Sequence, residues 1–351
     1  MDIRRSVLWM IFSFSLLLLW NNWQVHNGKP SLFGGTPAAQ QQAANPDAAA
    51  AKAGSGAITP SVPAGTPAAQ AGPSSTVPGS DAPIAAVAEQ IVIESDVLRL
   101  TFDTTGAQII RAELPMYPVS GDVDHPFVLL DKSNALTYVV QSGVVGAPAG
   151  QSFPTHQTPF KMTSTERTLS GEQLVVTFEA QSGDLRLIKT YTLRRGQYAI
   201  DVRHDVQNLG SQAVTPSLYL QLERDGNDPA DTSSFYHTFT GVAVYSDAEK
   251  FQKVTFSDIQ KKSNSYVRQT DNGWIGIVQH YFATAWVPPQ GKARTNELLQ
   301  VQNNLYAART IETMGSVAPN GTASVDSKLW IGPQDQTAMS QVAPGLELVV
   351  D

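Results

Sequence analysis

The chain contains no cysteine. Thiol catalysis, cysteine-ligated zinc, disulfide bracing and lipoprotein attachment are therefore excluded, and stability must come from the size of the core. Charge is sparse as well: 16% of the 351 residues are charged, and the formal net charge is −7. Residues 86–351 hold 20 of the 24 Lys and Arg and 28 of the 31 Asp and Glu, a formal −8. A domain of that sign is repelled by phosphate backbones and anionic lipid, so nucleic acid is set aside as a partner. HExxH, G-x-S-x-G, a P-loop and any glycine-rich phosphate cradle are all missing. None of the six histidines has another four residues away. His204 and Asp205 are adjacent in an expected strand and so face opposite sides. No metal or cofactor is expected. Glu223, Asp225, Asp228 and Asp231 crowd the stretch ERDGNDPAD. It lacks the closing glutamate of an EF-hand and reads as a solvated loop.

Long apolar runs are absent with one exception. Val7 to Trp20 reads VLWMIFSFSLLLLW, preceded by Arg4 and Arg5 and followed by Trp23. Extended from Ser6 to Val25, it reaches the roughly 20 residues a bilayer span needs. Arg4 and Arg5 place the N-terminus in the cytoplasm, and Trp20 and Trp23 suit the far interface. Positions 20–27, WNNWQVHN, offer no small residues for signal cleavage. Residues 1–26 are thus expected to be an uncleaved transmembrane signal anchor, with the rest of the chain beyond the membrane.

Residues 27–85 are built from Ala, Pro, Gly, Gln, Ser and Thr with few large apolar side chains. No core can offset their ordering entropy, so a disordered linker is expected. Its reach is about 40–45 Å by flexible-chain scaling.

From Ile91 the pattern changes to strict alternation, as in IVIESDVLRLTFDTTGAQIIRAEL and LRLIKTYTLRRGQYAIDVRHDVQNLG. Period two, with turn signals every 8–12 residues, predicts half-buried strands. Arg195–Gly196–Gln197 reads as a hairpin turn. The expected fold of residues 86–351 is mainly β: one large two-sheet sandwich with a short helix near Pro333 to Val342, stopped by Pro344–Gly345. Trp274, Tyr281, Phe282 and Trp286 form a dense aromatic cluster. It could be sandwich core or line a groove for a peptide or extended ligand. Trp274 and Trp286 would share a face only if no turn intervenes.

The stretch GWIGIVQHYFATAWVP (Gly273 to Pro288) resembles the signature segment of the first periplasmic domain of the YidC family, the bacterial inner-membrane insertases. TTGAQIIRAELPMYP, KTYTLRRGQYAIDVRHDVQN, HTFTGVAVYSDAEKFQKVTF, KLWIGPQDQ and VAPGLELVVD are similar to that family in the same order. The resemblance implies a periplasmic β-supersandwich of galactose mutarotase-like type behind an inner-membrane anchor. It also implies a role in inserting and folding membrane proteins, alone or with the Sec translocon. Nascent membrane proteins, translocon subunits and inner-membrane lipid would be the partners, with no cofactor and no enzymatic reaction. The family's later helices and their arginine-bearing groove do not occur in this sequence, so it resembles an N-terminal portion that anchors and docks. Two readings from other classes stay open. One is a periplasmic glycan- or peptide-binding module. The other is a mutarotase-like sugar enzyme, which would need a general acid and base that no motif here displays.

Overall fold

The computed structural model describes residues 3–26, 77–79, 88–229, 238–263 and 265–350. For residues 3–11 and 24–26 it describes the backbone alone. The linker expected at 27–85 lies outside the described residues except for 77–79.

A first helix, α1 (Ile3–His26), runs for 24 residues without proline or glycine. That length rises about 36 Å. Among the described residues no helix is long and apolar enough to cross a membrane. The side chains of Arg4, Arg5 and the first part of the apolar run lie outside them. Trp20 and Trp23 are exposed, with ring centroids 5.5 Å apart.

The remaining chain forms eighteen strands among the described residues. They are β1 (Gln90–Glu94), β2 (Arg99–Asp103), β3 (Gln108–Pro118), β4 (Pro126–Lys132), β5 (Thr137–Val145), β6 (Lys161–Met162), β7 (Gln173–Ser182), β8 (Leu185–Arg194) and β9 (Ala199–Asn208), then β10 (Ser217–Asp225), β11 (Gly241–Ser246), β12 (Lys250–Val254), β13 (Gln269–Thr270), β14 (Trp274–Gln279), β15 (Phe282–Val287), β16 (Arg294–Gln302), β17 (Leu305–Thr313) and β18 (Thr322–Pro333). They build two nine-stranded sheets. The first has the order β1-β2-β3-β4-β5-β10-β17-β16-β13, the second β12-β11-β14-β15-β18-β9-β8-β7-β6. The expected two-sheet, mainly β architecture is what forms.

Alternation explains the strands. In β8, Leu185, Leu187, Lys189, Tyr191 and Leu193 are buried while the residues between them are half-buried. The hairpin to β9 turns at Gly196, whose φ of +71° disfavours any side chain. The main core lies between the sheets. There Phe102 packs on Phe178 and Tyr191 at 5.0 and 4.9 Å between ring centroids.

A second core covers the outer face of the second sheet. Helix α3 (Gln336–Val342) starts three residues after Pro333, which ends β18, and Asp335 caps it by accepting from the Ala338 amide. Met339 is fully buried among Tyr245, Trp274 and Trp330, which stabilises by about 2–3 kcal/mol. After Pro344 the chain turns through Gly345 at φ +78° into a 3-10 turn (Leu346–Val349). A Cβ on Gly345 would lie 2.3 Å from the Tyr245 ring. One further helix, α2 (Phe256–Lys261), buries Phe256 and Ile259 behind a Thr255 cap. Six residues between strands are too few for a helical period to show in sequence.

Candidate docking surfaces

The four clustered aromatics do not form one site. The β14–β15 hairpin turns at His280–Tyr281 and pairs Ile275 with Trp286. Trp286 therefore faces the inter-sheet core, where its indole donates to the Gln221 carbonyl at 3.1 Å. Trp274 faces the other way, under α3, and donates to the Pro344 carbonyl at 3.2 Å. Tyr281 is exposed at the hairpin tip. Phe282, next to it, stacks on Phe127 of β4 at 4.1 Å between centroids and meets Tyr117 edge-on at 5.6 Å.

Phe282, Phe127 and Tyr117 thereby line a groove of about 770 Å³ together with Met116, Leu136, Arg224 and Asp228. Met116 at the rim is 64% exposed, and Val119 and Val123 at the same hairpin end are exposed too. Arg224 is buried, and burial lowers its affinity for the proton despite the Tyr138 and Asp225 oxygens nearby. Its guanidinium donates to the carbonyls of Asp225 (2.8 Å) and Asn227 (3.0 Å) and to Gln279 Oε1 (3.2 Å). It also lies over the Tyr138 and Phe256 rings. Its Nε has no hydrogen-bond partner among the described residues. An apolar trough lined by one buried cation and the Asp228 carboxylate suits an apolar segment that brings a neutral carbonyl. Beside it, a hollow of about 510 Å³ gathers Tyr117, His280, Tyr281, Phe282 and Val350.

The outer face of the first sheet is polar in its middle. Glu297 of β16 accepts from Arg309 Nε of β17 at 2.7 Å, and Arg309 Nη1 donates to Gln221 Oε1 of β10 at 3.1 Å. Gln221 then donates to Gln141 of β5 (2.7 Å), Gln141 to Gln108 of β3 (3.0 Å), and Gln108 to the Thr105 carbonyl (3.0 Å). Register makes this relay possible, because Glu297, Arg309, Gln221 and Gln141 are direct cross-strand partners. A pocket of about 240 Å³ beside it holds Lys132, His156, Gln157 and Glu223. Burial raises the Glu223 carboxyl to about 7, although Lys132 and Arg309 pull the other way. His156 is lowered to about 3 by burial and by the Lys189 charge, so it is neutral at physiological pH. Its Nδ1 and its backbone amide both meet the Tyr219 hydroxyl, at 2.7 and 2.9 Å. Gly143, opposite Tyr219, leaves room for that contact: a Cβ there would lie 2.5 Å from the Tyr219 hydroxyl and 2.8 Å from Thr155 Cα.

A family model for the YidC periplasmic domain matches residues 90–351. The chain belongs to the YidC family. Over its whole length it is 69% identical to a protein of Bordetella petrii named membrane protein insertase YidC, and 44% identical to the protein of the same name from a Janthinobacterium species. It spans 62% and 61% of the lengths of those two YidC relatives. A galactose mutarotase related enzyme from Lactobacillus acidophilus aligns over 69% of this chain and 97% of its own at 8% identity and a TM-score of 0.44, too distant to bear on chemistry.

In this YidC domain the acidic stretch departs from the solvated loop expected of it. Glu223 and Asp225 are buried at the end of β10, a central strand covered on both faces. Asp225 accepts from the Thr137 and Asn227 amides. Asp228 is exposed, and Asp231 lies outside the described residues. Among the described residues no group of His, Cys, Asp or Glu is arranged to hold a metal. His204 points inward to Ser142 Oγ at 2.7 Å and Asp205 outward to Arg203. Sequence reasoning missed Arg224, Phe127 and the glutamine relay. Phe127 and Phe282 are 155 positions apart in sequence, and the relay members are scattered from 108 to 309, so no local motif marks them.

Proposed function

We propose that this chain supplies the anchor and the extracytoplasmic docking domain of a membrane protein insertase. Family membership and the name carried by its relatives support the class. One observation supports docking: a groove walled by Tyr117, Phe127 and Phe282 opens beside the exposed apolar side chains of Met116, Val119 and Val123. Solvent-facing apolar groups that rim an apolar trough mark interaction sites. In this reading α1 crosses the inner membrane with Arg4 and Arg5 in the cytoplasm and Trp20 and Trp23 at the outer interface. The β domain then stands in the periplasm, behind the linker of residues 27–85. The partners are inner-membrane lipid, nascent membrane proteins and subunits of the Sec translocon. No nucleotide, metal or other cofactor is consumed. Moving an apolar segment from water to lipid is downhill and needs a path more than a reactive group.

The test is a photocrosslinker at position 116 in the chain carried in inner membranes. Crosslinks to newly made membrane proteins or translocon subunits are expected, and Phe282→Ala should weaken them. Crosslinks to neither would overturn the docking role. The competing enzymatic reading has His156 and Glu223 in one pocket in its favour. Mutarotation assays on common aldoses decide it, and no turnover above the uncatalysed rate is expected.

A further inference from the structure

We propose that the apolar end of the β domain is a lipid-docking tip, which seats its β3–β4 and β14–β15 turns in the headgroup region of a zwitterionic phospholipid bilayer. The proposal rests on the reading of α1 as a membrane anchor. Among the described residues, nine large apolar side chains are left exposed on the β domain, and six of them gather at one end: Met116, Tyr117, Val119, Val123, Tyr281 and Val350. Met116, Tyr117 and Val119 line the larger hollow, Tyr117, Tyr281 and Val350 the smaller one, and Phe282 lines both. Val123 lies in the same turn as Val119. The six therefore belong to one continuous surface. Its most prominent points are Val123, 80% exposed, and Tyr281, 65% exposed. A tyrosine at a lipid boundary keeps its ring in apolar surroundings and its hydroxyl in water.

Two observations point to lipid as the occupant. First, the turns satisfy their own polar groups. Asp122 Oδ1 accepts from the Asp124 amide at 3.0 Å, and Asp122 Oδ2 meets His125 Nδ1 at 2.6 Å. The amides of Val119, Asp122 and His125 donate to the carbonyls of His125, Val119 and Asp122. In the other turn the Tyr281 carbonyl accepts from the Gln334 amide at 2.7 Å, and Thr238 Oγ1 meets His280 Nδ1 at 2.8 Å. Polar groups that already have partners lose little on leaving bulk water, so Val123 and Tyr281 can enter the interface without stranding donors. Second, residues 114–127, 279–283 and 346–350 contain no Lys or Arg, while Asp122, Asp124 and Glu347 lie among them. Such a tip is not drawn to anionic headgroups and matches a lipid surface without net charge. Neither turn has to bind tightly. On the anchor reading α1 keeps the domain near the bilayer, and the linker's reach of about 40–45 Å sets a high effective concentration. The groove beside Phe282 then opens at the lipid surface, facing apolar segments on their way into the bilayer.

Because the chain has no cysteine, one can be introduced alone. Full chains carrying Val123→Cys, Tyr281→Cys or Leu209→Cys, each labelled with an environment-sensitive fluorophore, are reconstituted into phosphatidylcholine vesicles with and without spin-labelled lipid. Leu209 is the control, an exposed apolar side chain far from the tip. It follows β9, which starts beside Tyr198, whose ring is 6.5 Å from Tyr117, and ends about 30 Å further on. Spin-labelled lipid is expected to quench the probes at 123 and 281 several-fold more than the probe at 209. Val123→Asp should bring quenching at 281 down to the control level, because the contact of Tyr117 with Phe282 joins the two turns into one body. Replacing half of the lipid with phosphatidylglycerol should weaken quenching at both tip positions. Chains that float with the vesicles yet quench equally at all three positions overturn this inference and leave the docking function standing. Chains that do not float overturn the anchor and this inference together. Probes that shift to the blue without quenching mark a contact with a second copy, which overturns the lipid assignment. Quenching that grows with phosphatidylglycerol, or that survives Val123→Asp at position 281, overturns it as well.

Discussion

Gln141 and Gln221 stand directly opposite each other on β5 and β10, and Gln221 Nε2 donates to Gln141 Oε1 at 2.7 Å. Each glutamine both gives and receives, so the relay from Glu297 to Thr105 has a single direction. Gln221→Leu removes an acceptor from Arg309 and a donor from Gln141 at once. Buried polar groups left without partners cost about 1–3 kcal/mol. The expected result is a lower denaturation midpoint in urea with an unchanged slope.

Glu223 titrates in the opposite sense to an ion-paired carboxylate. Its folded value is raised from 4.5 to about 7 by burial. Between those values the folded state holds a proton that the unfolded state has lost, so this group's contribution to stability falls as pH rises from about 4.5 to 7. Glu223→Gln keeps the shape and removes the titration. The variant should gain on the unmodified chain across that window and hold its advantage above it. Urea titrations at pH 5 and pH 8 check this, and equal differences at the two values would refute it.

Lys189 crosses the inter-sheet core from β8 to the carbonyls of Gly106 (2.7 Å) and Ser142 (2.8 Å), 4.8 Å from the Phe160 ring centroid. Burial lowers its amine from 10.5 to about 7. Between about 7 and 10.5 the unfolded chain carries the extra proton, so this group's contribution to stability grows with pH over that range, by up to about 1.4 kcal/mol per unit. Lys189→Met lacks that slope. Its deficit against the unmodified chain should therefore widen from pH 7 to pH 10, as read from chemical denaturation at each pH.

Trp274 and Trp286 lie on opposite faces of neighbouring strands, and their loss should read out differently. Trp286→Ala opens the inter-sheet core and should cost about 3–5 kcal/mol globally. Trp274→Ala removes the floor beneath α3 and the 3-10 turn. Amide exchange at residues 336–349 should then accelerate more than exchange in β8 and β9. Uniform acceleration across both would contradict the separate core assigned to Trp274.

Much of this fold is legible in the sequence. The β8–β9 hairpin shows because buried and half-buried residues alternate without a break to Arg194, and Gly196 marks the turn. The helix near 333–342 shows because Met339 and Val342 share a face and Pro344–Gly345 supplies a stop, although Pro333 ends β18 and the helix begins only at Gln336. The faces of Trp274 and Trp286 do not show. The turn at His280–Tyr281 pairs Ile275 with Trp286, and that offset depends on hairpin geometry, not on residue type. Glu223 and Asp225 look solvated because acidic residues cluster there, while their burial follows from β10 lying between β5 and β17. The burial of Val77 has no local signal at all, since Val145, Tyr219 and Ile311, with which it clusters, lie 68 to 234 positions further along.

The placement of β18 has a consequence for synthesis. It lies between β15 and β9, joining β12-β11-β14-β15 to β9-β8-β7-β6. Until residues 322–333 leave the ribosome or translocation pore, the second sheet is two separate ribbons with unpaired edges facing the same gap. At about 5–20 residues per second, the interval from the end of β9 to the end of β18 lasts several seconds or more. During it both ribbons are open to strand addition from other chains. Completion is then a single late insertion, so a chain cut short before residue 322 would leave the second sheet as two unjoined four-stranded ribbons.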